Sequence, residues 1–207
     1  GKWVAGVDIG SLATKIVLLN ENKKMVDWRL NRSTYDFKRV GRDLFKEILE
    51  KNNLKRSDVY VISTGYGRNT IDFADDRITE ITAHARGAQF FYPDAHSVID
   101  IGGQDSKAIV MSSKSGNVID FQMNDKCAAG TGRFLEVMAN ALEVPLDKMG
   151  ELALNSRKPA SISSTCTVFA ESEVISLFAQ GMSKESIAAG IHQSIAKRVA
   201  GMAKRIG

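Results

Sequence analysis

The chain has 207 residues, of which 43% are hydrophobic and 25% are charged, and it carries a formal net charge of +4 at pH 7. A chain of this size and composition folds around a hydrophobic core of its own, which excludes the disordered, fibrous and disulfide-stapled classes. Its weak, scattered positive charge favours no nucleic-acid partner.

The pattern of apolar and basic residues also indicates where the protein acts. No apolar run reaches the roughly 20 residues that span a bilayer, so no membrane partner is expected. The first residues enter a strand-like run without the pattern of an export signal, which predicts a cytoplasmic protein. A mild basic cluster near the end of the chain fits a solvated helix face better than a nucleic-acid-binding stripe. Its members are Lys197, Arg198, Lys204 and Arg205.

The first segment predicts a meander of short strands joined by turns. The predicted strands are Trp3–Asp8, Thr14–Asn20 and Met25–Asn31. Apolar residues then recur at the helical period over 37–49, and a strand follows at Val59–Ser63. A further helix is predicted at Ile78–Phe91, because Pro93 cannot continue a helix without losing a hydrogen bond.

Beyond Pro93 the strand pattern starts again, which indicates that the chain is internally duplicated. The second set of predicted strands is Ser97–Ile101, Asp105–Met111 and Asn117–Met123, and the later helical patterns are Gly132–Leu142, Leu146–Asn155, Val168–Gln180 and Lys184–Ile206. The segments VAGVDIGSLATKIVLL and SVIDIGGQDSKAIVM align with their Asp-Ile-Gly triplets and following lysines superposed. We therefore predict two related lobes, 1–90 and 91–207.

Each repeat carries the chemistry of a phosphate-binding loop. A glycine lets the main chain approach a charged oxygen and frees amide N–H groups to donate to it. An aspartate beside a polyphosphate requires a divalent cation between them. A single Asp-Ile-Gly is more often a simple tight turn, but two copies with extra polar residues favour a nucleotide–magnesium site. Those extra residues are Ser11, Thr14 and Lys15 in the first loop and Gln104, Asp105 and Lys107 in the second.

This doubled pattern resembles the superfamily of actin, hexokinase, acetate kinase and the large heat-shock chaperones. The resemblance implies a duplicated actin-like (ribonuclease H-like) ATPase fold of the α/β class, in which each of two lobes has a mixed sheet and flanking helices. The chain does not resemble a Walker-type nucleotide-binding protein, because the sequence has no GxxxxGK[ST] motif.

The two cysteines, Cys127 and Cys166, need a separate explanation. Isolated cysteines are most often small buried apolar residues, but both of these lie in segments rich in Gly, Ser, Thr and Ala, and both precede a predicted helix. A helix N-terminus stabilises a thiolate or an anionic cluster. A zinc site or an iron–sulfur cluster usually takes four protein ligands. A two-fold homodimer that brings these cysteines of both chains together would complete either kind of site.

At these residues the resemblance becomes closer. The segments VDIGS, STGYGR, IDIGGQDSK, NDKCAAGTGRFLE and SSTCTVFAESEV resemble the motif set of the ATP-dependent activators (component A) of 2-hydroxyacyl-CoA dehydratases, a family that includes the ATPase subunits of benzoyl-CoA reductase. The resemblance implies an ATP-hydrolysing protein that passes one low-potential electron to a 2-hydroxyacyl-CoA dehydratase or to a benzoyl-CoA reductase-type partner. Ferredoxin or flavodoxin is the implied electron donor.

The same resemblance implies cofactors and the residues that hold them. The cofactors are ATP or ADP, Mg²⁺ and one 4Fe–4S cluster per homodimer. The implied cluster ligands are Cys127 and Cys166, and the helix after Cys127 would point its N-terminus at the cluster. The implied catalytic residues are Asp8, Asp100 and Gln104. The implied nucleotide-binding residues are Gly10, Ser11, Thr14, Lys15, Gly102, Gly103, Asp105, Gly130, Thr131 and Gly132.

Two other functions stay open at this point. A small-molecule kinase of the same superfamily would place a substrate hydroxyl where water otherwise reacts, and its cysteines would be incidental. An actin-like scaffold would bind nucleotide and polymerise without being an enzyme. Superfamily members normally continue with a second glycine pair that holds the adenosine, so a C-terminal part with the adenosine-binding residues is expected beyond Gly207.

Overall fold

A computed structural model describes residues 2–32, 35–163 and 166–207 of the chain, which divides into two units, Gly1–His84 and Ala85–Gly207. In the first unit β1 pairs antiparallel with β2 and parallel with β4, which gives a mixed sheet of order β3-β2-β1-β4-β5. The elements are β1 (Trp3–Ile9), β2 (Thr14–Leu19), β3 (Met25–Asn31), α1 (Phe37–Lys51), β4 (Val59–Thr64), β5 (Asp76–Arg77) and α2 (Glu80–Phe91), which crosses the unit boundary.

The core of the first unit lies between one face of this sheet and α1. Successive strand side chains point to opposite faces, and in β1 the alternate residues Ala5, Val7 and Ile9 are fully buried. Helix α1 begins at Asp36, whose carboxylate accepts a hydrogen bond from the backbone N–H of Arg39. The core packing therefore fixes the direction of β1, at whose end the first predicted loop begins.

In the second unit β7 lies between β6 and β8, and both pairings are antiparallel. The elements are β6 (Ser97–Ile101), β7 (Ser106–Met111), β8 (Val118–Asn124), α3 (Gly132–Ala141), α4 (Met149–Leu154), α5 (Thr167–Ala179) and α6 (Lys184–Ala203). Helix α6 supplies much of the core of this unit, and it buries Ile195, Val199 and Met202 as its periodicity predicts. Lys197 and Lys204 on the same helix region are exposed.

The predicted internal duplication is confirmed at the level of strand register. Asp8 stands opposite Lys15 in the β1–β2 pair, and Asp100 stands opposite Lys107 in the β6–β7 pair. The turns match as well, since a glycine N–H donates to the carbonyl three residues later at 3.0 Å in the first turn and 2.8 Å in the second. The two copies even share a register irregularity, at Leu18/Leu19 and at Val110/Met111.

The predicted helix over 146–155 is wrong in its first turn. Leu146–Lys148 forms a 3₁₀ turn, and α4 follows it. The backbone N–H of Lys148 donates to Pro145, three residues back, which closes the tighter turn. Among the residues described, no helix combines the length and the apolar character that crossing a membrane requires.

A buried carboxylate joins β3 to the end of α1. Burial alone would raise the pKa of Asp27, but hydrogen bonds from Asn52, Arg29, the backbone N–H of Trp28 and Lys51 outweigh it and hold the pKa well below its ordinary range. The Asn52 amide donates to Asp27 at 2.9 Å and to the α1 carbonyl of Ile48 at 2.8 Å. The charged form of Asp27 is therefore the form that stabilises the fold.

Replacing this carboxylate should cost stability in a pH-dependent way. We expect Asp27→Asn to lower the free energy of unfolding at pH 7 by about 2 kcal/mol, because hydrogen bonds to a charged acceptor are lost. A group whose folded pKa is depressed stabilises above its unfolded pKa and loses that contribution as pH falls, so the difference should shrink below about pH 4. Urea unfolding at pH 7, 5 and 3 measures it, with exposed Asp43→Asn on α1 as control. A difference that grows towards pH 3 would contradict this account.

Candidate nucleotide and metal sites

The first predicted loop joins β1 to β2 and places a charged pair at its base. Lys15 Nζ lies 3.0 Å from Asp8 Oδ2, with 49% and 33% of the two side chains exposed. Ser11 and Gly10 are partly exposed at the turn, whereas Thr14 is fully buried. The loop therefore presents an accessible carboxylate and ammonium beside a glycine turn, which is the chemistry that phosphate and Mg²⁺ require.

A second segment supports this loop, and sequence reasoning gave it no role. Gly65 and Gly67 follow β4, and Gly67 N donates to the carbonyl of Ile9 at 2.9 Å. A Cβ on Gly65 would lie 2.6 Å from Asp8 Oδ1 and would also collide with Ile9 O, and the φ of Gly65 is +92°. Only glycine fits here. The glycines of the STGYGR motif signal a close approach of the main chain at this position, but they do not indicate that Asp8 is its partner.

We expect Gly65→Ala to displace Asp8 and to lower both stability and ATP hydrolysis. A side chain that meets backbone, in a left-handed conformation, should cost at least about 2 kcal/mol. Gly6→Ala in β1 is the matched control, because nothing lies within 4 Å of a Cβ there. Thermal unfolding and phosphate release measure the two effects. Equal behaviour of the two variants would show that the close approach of Gly65 to Asp8 is unimportant.

The second predicted loop, between β6 and β7, is built around a buried lysine. Lys107 Nζ lies 2.8 Å from Asp105 Oδ1 and 3.5 Å from Asp100 Oδ2, and only 3% of the lysine side chain is exposed. The two carboxylates remain about a quarter exposed, and Gln104 at the tip is exposed. The lysine holds both carboxylates in place while each keeps an accessible edge, and such an arrangement suits a hydrated divalent cation.

The backbone of this loop is bonded to the start of α3. Gly132 N donates to Gly102 O at 2.9 Å, and Arg133 N donates to Gly103 O at 2.8 Å. A Cβ on Gly132 would lie 3.3 Å from Gly103 Cα, so a glycine allows this approach. Two of the amides that the helix N-terminus would otherwise offer to an anion are thus engaged by the loop.

The predicted backbone contacts just before α3 lie inside the unit. Gly130 and Thr131 are buried, and Gly130 lines a cavity of about 460 Å³. Residues 159–163 form another wall of this cavity, and Lys197 and Arg198 of α6 add positive charge. The volume of the cavity lies within the range of small-ligand pockets.

The two cysteines occupy different surroundings, and both are free thiols. Cys127 is partly buried against the core of the second unit. Cys166 is exposed and is the N-cap of α5. Within the described ranges, no group of three or more His, Cys, Asp or Glu residues could hold a metal ion. The second copy of the chain that sequence reasoning invoked would be needed to complete a four-thiolate site.

Unpaired buried hydroxyls coincide with these segments. Among the described residues, the buried side-chain polar atoms without a hydrogen-bond partner are Thr14 Oγ1, Thr64 Oγ1 and Thr167 Oγ1. Thr14 begins β2, Thr64 stands opposite Asp8 in the β1–β4 pair, and Thr167 follows Cys166. Buried polar groups are nearly always paired with protein or with water, and these three hydroxyls lie in the same segments as the motifs.

The repeated hairpin, with its aspartate, glycine turn and lysine, defines a duplicated actin-like ATPase fold. A sequence profile of the BadF/BadG/BcrA/BcrD ATPase family matches residues 5–207, and the chain belongs to this family of ATP-hydrolysing proteins. The assignment confirms the predicted duplicated actin-like α/β fold and the family resemblance. The prediction of a mixed sheet holds for the first unit but is wrong for the second, whose described strands pair only antiparallel.

Named relatives cover almost all of the chain. It is 48% identical over 207 residues to the (R)-2-hydroxyglutaryl-CoA dehydratase activating ATPase of Acidaminococcus fermentans, an alignment that covers 99% of this chain and 78% of the relative. The crystal structure of component A of that organism's (R)-2-hydroxyglutaryl-CoA dehydratase superposes with a TM-score of 0.92 at 47% identity, covering 100% and 80% of the two chains. The activator of the 2-hydroxyisocaproyl-CoA dehydratase from Clostridium difficile, with bound ADPNP, gives 0.88 at 46% identity, covering 99% and 76%.

Proposed function

We propose that the protein is an ATP-driven iron–sulfur activator that delivers one low-potential electron to a 2-hydroxyacyl-CoA dehydratase. One observation carries the proposal. The second loop is hydrogen-bonded through Gly102 and Gly103 to the start of α3, five residues after Cys127. A phosphate-binding loop and a candidate metal ligand therefore belong to one continuous bonded segment, which is the arrangement that coupling of nucleotide to redox chemistry needs.

The donor set fits half of an iron–sulfur site. Cys127 and Cys166 are free thiols, and thiolates are the ligands that such clusters use. In a two-fold homodimer each chain contributes the same pair, which makes four ligands for one 4Fe–4S cluster. When bound, that cluster would take up and release a single electron. Ferredoxin or flavodoxin is the proposed donor.

The aspartate of each loop, Asp8 in the first unit and Asp100 in the second, is a proposed magnesium or water ligand. Asp8 and Asp100 each stand beside a lysine that balances the carboxylate charge and holds the side chain in place. Ser11 and Lys15 in the first loop and Gly103 and Gln104 in the second are proposed to donate to phosphate oxygens. Gly10 and Gly102, whose N–H groups close the two turns, are proposed to let the main chain approach the phosphates. Thr14, Asp105, Gly130, Thr131 and Gly132 are proposed to shape the nucleotide site behind them. The relative from C. difficile with bound ADPNP supports ATP as the ligand.

The partner is inferred from the relatives. Two of them are an activating ATPase and an activator, each of a 2-hydroxyacyl-CoA dehydratase. Their identity to this chain, 48% and 46%, supports the same type of partner here.

The decisive experiment couples ATP hydrolysis to electron delivery without oxygen. The protein is reduced, mixed with a 2-hydroxyacyl-CoA dehydratase and supplied with ATP or with a non-hydrolysable analogue. We expect the dehydratase to become active only with ATP, and phosphate release to rise when it is present. ATP-dependent phosphorylation of a small hydroxyl compound, with no effect on any dehydratase, would establish the kinase alternative instead.

A further inference from the structure

Two side chains tie the segment after Cys127 to the second sheet. The Asn124 side-chain amide, at the end of β8, donates to Cys127 O at 3.0 Å and to Ala129 O at 3.2 Å. The Ser106 hydroxyl, 1% exposed at the start of β7, donates to Gly130 O at 2.5 Å. Hydrogen bonds to carbonyl oxygens thus hold residues 127–130 against the sheet, and the Cys127 thiol takes no part in these bonds.

The residues that donate these hydrogen bonds lie on strands of the sheet that carries the second loop. Ser106 is the first residue of β7, directly after the loop over 102–105, and Asn124 stands opposite Ser106 in the β7–β8 pair. The loop itself is bonded to the start of α3. A displacement of the loop would therefore act on both ends of the segment 127–133.

The chemistry of Asn124 suits this role. A carboxamide nitrogen carries two N–H donors, which match two carbonyl acceptors. Aspartate has the same shape, but its carboxylate oxygens cannot donate to the carbonyl oxygens of Cys127 and Ala129, so neither hydrogen bond would form. The Ser106 hydroxyl is buried and therefore needs a hydrogen-bond partner, which the carbonyl oxygen of Gly130 provides.

We propose that Asn124 and Ser106 are positioning residues. Through them, the position and accessibility of Cys127 depend on whether phosphate is bound at the loop Gly102–Gly103. The proposal gains its purpose from the proposed function, but its geometry does not depend on iron. Neither side chain needs to touch the nucleotide or the metal.

The test measures the rate at which iodoacetamide alkylates Cys127. Peptide mass distinguishes this rate from the alkylation rate of Cys166. The full chain is assayed as purified without oxygen and again after removal of bound metal, with and without a non-hydrolysable ATP analogue. In the metal-free wild type, we expect the analogue to change the Cys127 rate by about fivefold. Cys166, which is exposed, serves as the internal standard.

In Asn124→Asp the Cys127 rate without nucleotide should rise by about tenfold, since two hydrogen bonds are replaced by repulsion. The response to the analogue should fall below about twofold while analogue affinity is retained. Ser106→Ala should also reduce the change in the Cys127 alkylation rate that the analogue causes. If Asn124→Asp does not fold, Ser106→Ala tests the proposal by itself. Gln122→Glu is the control, because Gln122 shares the strand and the face of Asn124 but donates to neither carbonyl.

The outcomes separate this proposal from the proposed function. The positioning role is overturned if the analogue leaves the alkylation rate of Cys127 unchanged in the wild type. It is also overturned if the analogue changes that rate to the wild-type extent in both variants. Loss of analogue binding in the variants also overturns it, because a merely structural role would explain that result. If the protein contains no iron but the Asn124 dependence is found, the proposed function fails and the positioning role stands.

Discussion

Cys127→Ala and Cys166→Ala should each yield colourless, iron-free protein that still hydrolyses ATP. Loss of one thiolate per chain removes two of the four ligands of a cluster shared across a two-fold axis. Neither change should disturb folding much, since Cys166 is exposed and Cys127 only partly buried. Visible absorbance, iron content and phosphate release, measured on protein prepared without oxygen, test all three statements.

The matched control is Ser172→Ala, an exposed position on the same helix that Cys166 caps. It should keep both colour and iron. A Cys166→Ala variant that remains brown with full iron content would show that the metal is held elsewhere. Loss of ATP hydrolysis without loss of iron would indicate that the cysteines serve the nucleotide site.

Asp100→Asn should lower ATP hydrolysis by at least about a hundredfold, because a carboxylate that places Mg²⁺ or the reacting water contributes on this scale. Asp8→Asn should have an effect of the same order, since both residues occupy the same position in the duplicated hairpin. In the Asp100 variant, Lys107 keeps its partner Asp105 at 2.8 Å, so the fold should persist. Steady-state phosphate release at saturating ATP and Mg²⁺ measures the effect.

Asp120→Asn, on an exposed position of β8 in the same sheet as Asp100, is the control for a charge change. It should leave hydrolysis unchanged. If Asp100→Asn hydrolyses ATP at the control rate, then the second loop does not hold the reacting end of the nucleotide.

Much of the fold could be predicted from sequence, because the strands alternate cleanly and the two hairpins share one motif. The alignment of Asp8 with Asp100 predicted that the two hairpins are equivalent, and the structure gives both the same strand register. The first turn of the helix predicted over 146–155 was wrong, since periodicity does not reveal a 3₁₀ turn after Pro145. The predicted lobe boundary, 1–90 and 91–207, stays a prediction.

The supporting contacts of the candidate sites were beyond sequence reasoning. Nothing in the chain order indicates that Gly65 lies against Asp8, or that Gly132 donates to Gly102, because these contacts join segments that only the fold brings together. Ser106 and Asn124 were overlooked for the same reason. A polar residue at a strand end looks like any solvated residue until its partner is known.

In the proposed function, thiolates from two identical chains share one iron–sulfur cluster. Counting iron and acid-labile sulfide per two chains, in a preparation kept free of oxygen, tests it most directly. We expect about four iron and about four sulfide ions per homodimer. A homodimer or monomer that contains no iron and no sulfide, while hydrolysing ATP at full rate, would contradict it.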